Sequence, residues 1–419
     1  MALPYVLRPI PEPALSFTAV RMRTKVQLSQ RRNLRRQAVT RLTSCVAGRQ
    51  KRRKEKLAFG RSEGVKEYLC IVSWAPFLET GTLPRIQLMH LKMRSQNTVT
   101  TNRPCPLSGS RKATVVSSLD RHGGALRNVC WTESGFIGVD PIPIADVSEF
   151  YKKEYRQQYK GSFTPQNRHV LRAARCARDR YERIRQHLPS APSSLATLDA
   201  GASSGEFVYL MKTLGHAAEG IEPHIGYALH AKTNLGLQIS NCTFSEFPDR
   251  PGAFQLVTLF HVLEHLEFPI DDLRKLRDLL DEKGVFVIEV PNILYRNMKF
   301  SHKWHKGHLN GFTAESLKLT AAAAGLESIQ CGEIGDGGNL FGVFRRAMPL
   351  PPEQMMKELA GSAERALAEI SANTDADYFL RWHTWAKIPK KLLTQIEERI
   401  TAPKRLESAA ILKAVYQGI

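Results

Sequence analysis

The sequence predicts an α/β chain built on a doubly wound sheet, and two neighbouring features carry that expectation. An apolar run ending in Asp199 meets the glycine turn Gly201-Ala-Ser-Ser-Gly205. A helical stretch and a second short apolar run ending in Glu222 then follow. Strand, glycine turn, helix, strand and acid in that order make one half of a doubly wound sheet.

The elements follow from the pattern in turn. Residues 195–199 read as a buried strand, and Gly201 and Gly205 supply a bend where backbone can approach a ligand. Glu206–Leu214 has apolar residues at helical spacing, and Glu222 ends the next strand with a carboxylate suited to two ribose hydroxyls. Ala253–Phe260 is a further strand, followed at once by His261-Val-Leu-Glu264-His265. An amphipathic helix is expected over Asp271–Asp281, stopped by Gly284, and then a strand over Val285–Val290, closed by Pro291-Asn292. Thr313–Ala324 reads as a helix capped by Thr313 and ended by Gly325.

This order resembles the class I S-adenosylmethionine-dependent methyltransferases, among them those acting on quinone precursors and other small molecules. The resemblance runs over about residues 165–346. It implies a Rossmann-like seven-stranded sheet with an antiparallel last strand, the runs Glu327–Ile334 and Leu340–Phe344 forming the closing hairpin. It implies S-adenosylmethionine as cofactor, cradled by Asp199, Gly201, Ser203 and Gly205, with Glu222 on the ribose. Phe244, Ser245 and Glu246 are then expected near the adenine. His261 is expected among the cofactor-binding residues on the same ligand rim, and His308, His265 and Glu264 as catalytic residues that face the acceptor with it. Two departures stand out: Ser203 replaces a common middle glycine, and Gln255 replaces the aspartate that often leads the fourth strand. The turn is G-x-x-x-G, whereas the dinucleotide fingerprint is G-x-G-x-x-G, which disfavours an NAD-dependent oxidoreductase on a similar sheet.

Histidines dominate the candidate acceptor side. His261-Val-Leu-Glu264-His265 satisfies the inverted zinc-protease signature, but it begins where a parallel strand ends rather than on a helix. Some relatives with Glu-x-x-Glu-His here bind a divalent cation. In this chain the first position is His261, and magnesium prefers oxygen ligands, so no metal is expected. A second cluster, His302, His305 and His308, lies in a glycine-containing loop that in the resembled family closes over the acceptor. A histidine near its ordinary pKa suits removal of the acceptor's proton. His308 is favoured, because relatives often carry a histidine just before the following helix.

The flanks are different in kind. Of the net charge of +20, residues 1–104 account for +16, with 21 Lys or Arg against 5 Asp or Glu. The remainder holds 39 against 35 and is nearly neutral. Runs such as Lys51-Arg52-Arg53-Lys54 with poor apolar periodicity read as a disordered basic arm. It has the character of a nucleic-acid- or acidic-membrane-binding tail, or of an organelle transit peptide, or of an artefact upstream of a start at Met93. A non-catalytic nucleic-acid-binding protein is therefore an alternative function. Residues 105–164 contain Cys105-Pro-Leu-Ser108 and Cys130-Trp-Thr-Glu133, which resemble the paired zinc-ribbon knuckles that open several such methyltransferases. Each keeps one cysteine, and two thiolates do not hold structural zinc, so a degenerate ribbon is expected. Aromatic residues around Phe150-Tyr151 and Tyr155–Tyr159 then read as a helical linker. After Ala347 and a proline-rich break, Glu353–Ile370 and Leu392–Ile400 read as a helical extension over 347–419, with Trp382 and Trp385 beside His383 packed on the core. Seven scattered cysteines and no span-length apolar run point to a cytoplasmic enzyme with reduced thiols. The reading is methyl transfer to a small-molecule acceptor.

Overall fold

In the computed structural model, residues 98–155, 161–189, 194–402 and 406–419 are described. The basic runs before Thr98, the Met93 start and Tyr159 lie outside them.

Two sheets organise the described chain. The larger has seven strands: β5 (Ala196–Ala200), β6 (Ala217–Ile221), β7 (Ile239–Ser240), β8 (Phe254–Phe260), β9 (Leu280–Pro291), β11 (Leu326–Ile334) and β12 (Asn339–Arg346). Their order is β11-β12-β9-β8-β5-β6-β7. Pairing from β7 through β9 is parallel, and β12 runs antiparallel to both β9 and β11. The expected closing hairpin is therefore present. Leu198, Val257, Phe286 and Ile288 are fully buried, as strands covered on both faces require.

The covering helices are α2 (Asn167–Ile184), α3 (Glu206–Thr213), α4 (Ile225–Leu235), α5 (Pro269–Asp278) and α6 (Ala314–Ala323); a short turn, α1 (Val147–Glu149), precedes them. Val170, Leu171, Ala174, Ala177 and Ile184 of α2 are all buried against the sheet. Thr313 caps α6 in a reciprocal box with Ser316, as its place before the apolar run predicts. One boundary moves. The helix expected to reach Asp281 stops at Asp278, and Leu280, fully buried and paired with Phe254, already belongs to β9. Burial on both faces outweighs the polar tail Asp281-Glu-Lys-Gly, which sits at a register irregularity before Val285.

The smaller sheet has the order β1-β2-β3-β4-β10, from Thr98–Thr100, Lys112–Leu119, Ala125–Trp131, Ile137–Val139 and Asn310–Gly311. It begins before residue 105, so the boundary drawn from charge falls inside it. Its last strand is lent by the core: β10 lies between β9 and α6 and pairs with β4 through Asn310↔Gly138 and Gly311↔Ile137. Asp140 knots the near side of this sheet. Fully buried, it accepts from the Asn102 and Arg103 amides at 2.8 and 3.0 Å and from Arg127 at 2.6 Å.

The C-terminal extension is helical: α7 (Pro352–Glu358), α8 (Ser362–Ser371), α9 (Asp375–Leu380), α10 (Trp382–Thr401) and α11 (Ser408–Tyr416). The periodic run Glu353–Ile370 is broken in two at Gly361, whose φ of 73° no continuous helix accommodates. Trp385 does not pack on the core as expected; it is 58% exposed. No helix among the described residues is long and apolar enough to cross a membrane.

Replacing Asp140 with Ala strands two backbone amides and Arg127 together. We expect a loss of about 3 kcal/mol in urea unfolding, and a change below the fitting error would show that water replaces the carboxylate without cost.

Candidate active site

β5 has β6 on one side and β8 on the other, so the chain reverses its winding there and a crevice opens beyond the carboxyl ends of these strands. Asp199 sits at that point, 4% exposed, accepting from the Thr258 hydroxyl of β8 at 2.7 Å. Burial pushes its carboxyl up to about 6, with Glu222 adding to the rise and Thr258 and Arg180 opposing it. Glu222 follows β6 directly. Its two oxygens accept from the Ser203 amide at 2.8 Å and the His224 amide at 3.1 Å. The amides of Gly201 and Ala202 both reach the Ile221 carbonyl at 2.8 Å, folding the turn back onto the tip of β6. Asp199, Gly201, Ser203 and Glu222 are thus brought together.

The glycines serve a purpose the sequence reading did not give them. Gly201 and Gly205 have φ of 89° and 87°, and Ser203 shares the left-handed region at 53°. A Cβ on Gly201 would lie 2.3 Å from Val262, and one on Gly205 2.4 Å from Leu237. Both positions are closed by packing, whatever the ligand. Beyond β7, Phe244 is buried, while Ser245 and Glu246 are exposed. Glu246 accepts from the Thr243 amide and pairs with Lys152 at 2.9 Å, which hold its carboxyl at about 2.

The acceptor-side residues gather past β8. His261 has a φ of 55°, and Leu263–His265 is a single 3-10 turn. The two histidines therefore do not share a helix face, and the protease signature fails on geometry. His261 Nε2 lies 3.1 Å from Glu289 Oε1 and its Nδ1 3.5 Å from Glu264. Burial opposes its charge, yet these two carboxylates raise it to about 9. His265 Nδ1 is 2.6 Å from the Gly307 carbonyl and 3.0 Å from the Tyr151 hydroxyl. Tyr155 adds its hydroxyl 3.4 Å from His265 Nε2. The His308 ring stands 4.9 Å from that of His265 and 3.9 Å from that of His305. His302, by contrast, is exposed and apart from this group.

His308 does not keep an ordinary pKa. Burial first, then the neighbouring His265 and His305, drive it well down, and His305 itself falls to about 3. His305 Nδ1 accepts from the Gly307 amide at 3.0 Å, which needs the neutral ring. A desolvated imidazole of this kind is a weak base, so the general-base role expected of His308 loses its physical footing.

The small sheet supports this loop. Arg103 donates to the carbonyls of Val139 and Leu309 at 3.1 and 2.7 Å, fixing the residue next to His308. The two cysteines of the expected ribbon lie in different clusters. Cys105 Sγ meets Ser134 Oγ at 3.0 Å, and the Ser108 amide at 3.5 Å. Cys130, taken from sequence as the second knuckle, points to the opposite face of β3, among Leu126, Ile137 and Trp304. Adjacent strand residues face opposite ways, so Trp131 rather than Cys130 lies on the Cys105 side.

Two site residues were missed. Glu289, on β9, accepts from Asn339 at 2.8 Å and pairs with Arg180 of α2 at 2.8 Å. Burial opposes its ionisation, but His261 and Arg180 hold it at about 2. The readable signal for Glu289 was a lone carboxylate inside the apolar run Val285–Val290. Arg180 gave none, standing in a helix rich in arginine.

Residues 168–330 match a family model described as a methyltransferase domain. With the sheet order and the crevice above, they form a class I methyltransferase domain whose cofactor is S-adenosylmethionine. The buried acids at the tips of β5 and β6 fit a cationic, ribose-bearing ligand. No curated protein matches the chain. Among solved structures, it is similar to the 1,6-didemethyltoxoflavin-N1-methyltransferase of Burkholderia thailandensis, at 18% identity and a TM-score of 0.37, covering 51% of this chain and 95% of that one. A possible histamine N-methyltransferase of Thermotoga maritima is similar at 16% identity and 0.37, covering 48% and 99%. The CcbJ methyltransferase of Streptomyces caelestis follows at 14% and 0.37, covering 48% and 100%. These likenesses carry no residue role to this chain.

Asp199 binds its proton more tightly folded than unfolded, since its pKa rises from 3.8 to about 6. The stability this gives is present below pH 4 and is lost as pH climbs through 6. Asp199→Asn is therefore expected to raise the melting temperature of the ligand-free protein at pH 7.5. Equal melting curves would place the carboxylate in water.

Proposed function

We propose that the domain methylates a small molecule, held between the β5–β6 tips and the histidine group past β8. The carrying observation is that Asp199 and Glu222 stand on adjacent strand tips, with the cluster of His265, His308, Tyr151 and Tyr155 one strand further along. S-adenosylmethionine supplies an electrophilic methyl on a sulfonium and leaves as a neutral thioether.

The chain supplies positioning. Glu222 accepts from the Ser203 and His224 amides, which fix its carboxylate at the tip of β6, where it would meet the ribose hydroxyls. Asp199, once ionised, faces the cationic end, and the turn from Gly201 to Gly205 shapes the floor. Phe244, Ser245 and Glu246 lie on the segment that would border the adenine. Tyr151, Tyr155, His265 and His308 pack ring against ring, a group that suits a flat, partly apolar acceptor. Holding nucleophile and methyl in line and away from water is itself worth several kcal/mol. With His308 weakly basic, the acceptor is expected to arrive with a ready lone pair or to lose its proton to solvent.

Calorimetric titration with S-adenosylmethionine tests the cofactor half. Glu222→Ala should weaken binding by about 1.5–3 kcal/mol, or roughly 10- to 150-fold, and an unchanged affinity removes Glu222 from the site. Wild-type affinity should rise between pH 5 and 7 as Asp199 ionises, and Asp199→Asn should flatten that rise. Incubating the enzyme and methyl-labelled donor with fractionated small metabolites tests the acceptor half. Label recovered only in macromolecules would overturn it.

A further inference from the structure

We propose that Glu264, His265 and His308 bind one divalent first-row transition ion, of the zinc or cobalt kind. Each offers a donor atom, and these atoms all lie within 4.8 Å of one another. Metal bonds of about 2.0–2.1 Å put tetrahedral ligands about 3.4 Å apart. Glu264 Oε1 and His265 Nε2 are 3.7 Å apart, so small side-chain shifts complete the shell.

Two further observations point to a cation. Glu264 is 2% exposed, and its Oε2 is buried with no hydrogen-bond partner. A buried carboxylate oxygen left so is costly, and a metal ion satisfies it. His265 is also set in the right tautomer. Its Nδ1 lies 2.6 Å from the Gly307 carbonyl, which only accepts, so Nδ1 carries the hydrogen and, in the neutral ring, Nε2 is the atom that an ion would take, 3.7 Å from Glu264 Oε1. A backbone carbonyl on the far nitrogen is the usual support for a metal-binding imidazole. Tyr155, 3.4 Å from Nε2, stands at the edge of the open position.

The site is not the one weighed from sequence. His261, in the place of a first carboxylate, is engaged by Glu289, and the third ligand comes from the loop held by β10. One carboxylate and two imidazoles suit zinc, cobalt or iron and disfavour magnesium. Three protein ligands leave a position for an oxygen of the acceptor, such as an ionisable hydroxyl, enol or carboxylate, whose proton the ion would make easier to lose. That role rests on the methyl-transfer reading; ion binding itself does not.

The full chain, stripped by chelator and dialysed, is titrated with Co²⁺ while its visible absorption is followed. One equivalent is expected, with the intense bands of a low-coordinate site, and Zn²⁺ should bleach them. Glu264→Gln and His308→Ala should each weaken binding by roughly tenfold or more, whereas His302→Ala should not, with circular dichroism melts confirming that all three fold. No such bands, or equal binding by the two ligand variants and wild type, would overturn the site. S-adenosylhomocysteine titrated into the same metal-free samples separates the readings. Cofactor bound without cobalt bands sinks the metal alone, and cobalt bands without cofactor sink the methyltransferase reading alone.

Discussion

The site depends on β5 being paired in parallel on both sides. Asp199 lies in register with Gly220 of β6 and Thr258 of β8, so three strand ends come level at one place. From that pairing the turn over Gly201–Gly205 can fold back on Ile221, Glu222 can reach the Ser203 amide, and Thr258 can bond Asp199. A slip of one residue would turn Asp199 to the other face and leave its carboxylate in the apolar layer. The run that makes β5 is buried on both faces, with apolar Leu198 and Ala200 on one and polar Thr197 and Asp199 on the other.

The acceptor side is held differently, by a graft. The stretch with His305 and His308 is long and has little core of its own. Its order comes from β10 joining the small sheet and from Arg103 reaching two carbonyls beside it. Burial lowers Arg103 to about 10, and Asp140 partly restores its charge. The small sheet thus braces the loop that carries His305 and His308.

Much of the core was legible because its signals are local. Continuous apolar runs, the cap at Thr313 and the glycine bend all act over a few residues, and each appears where the pattern put it, apart from the shift at Leu280. The site was half legible. The placing of Asp199 and Glu222 on adjacent strand tips could be read because each acid ends a short apolar run on either side of the glycine turn and helix. The Arg180–Glu289–His261 chain could not, since α2, β9 and the tip of β8 are far apart in sequence and join only through the fold. The same holds for Ser134, which meets Cys105 from the turn after β3. His308 was found, but its weak basicity depends on neighbours that sequence does not set beside it.

The charges of the rim have a logic of their own. Four carboxylates, Asp199, Glu222, Glu264 and Glu289, end neighbouring strands or the turns after them, and all are buried. Glu289 is neutralised within the protein by Arg180 and by the raised His261. Asp199 is not, and its upward shift measures what the ligand-free fold forgoes to keep it there. Glu264 is only half compensated, with one oxygen near two imidazoles and the other unpartnered. A rim that balances one acid internally and leaves two in deficit is arranged for positive charge from outside. On the proposed reading, Asp199 takes the cofactor's cation, and Glu264, grouped with His265 and His308, takes a metal ion.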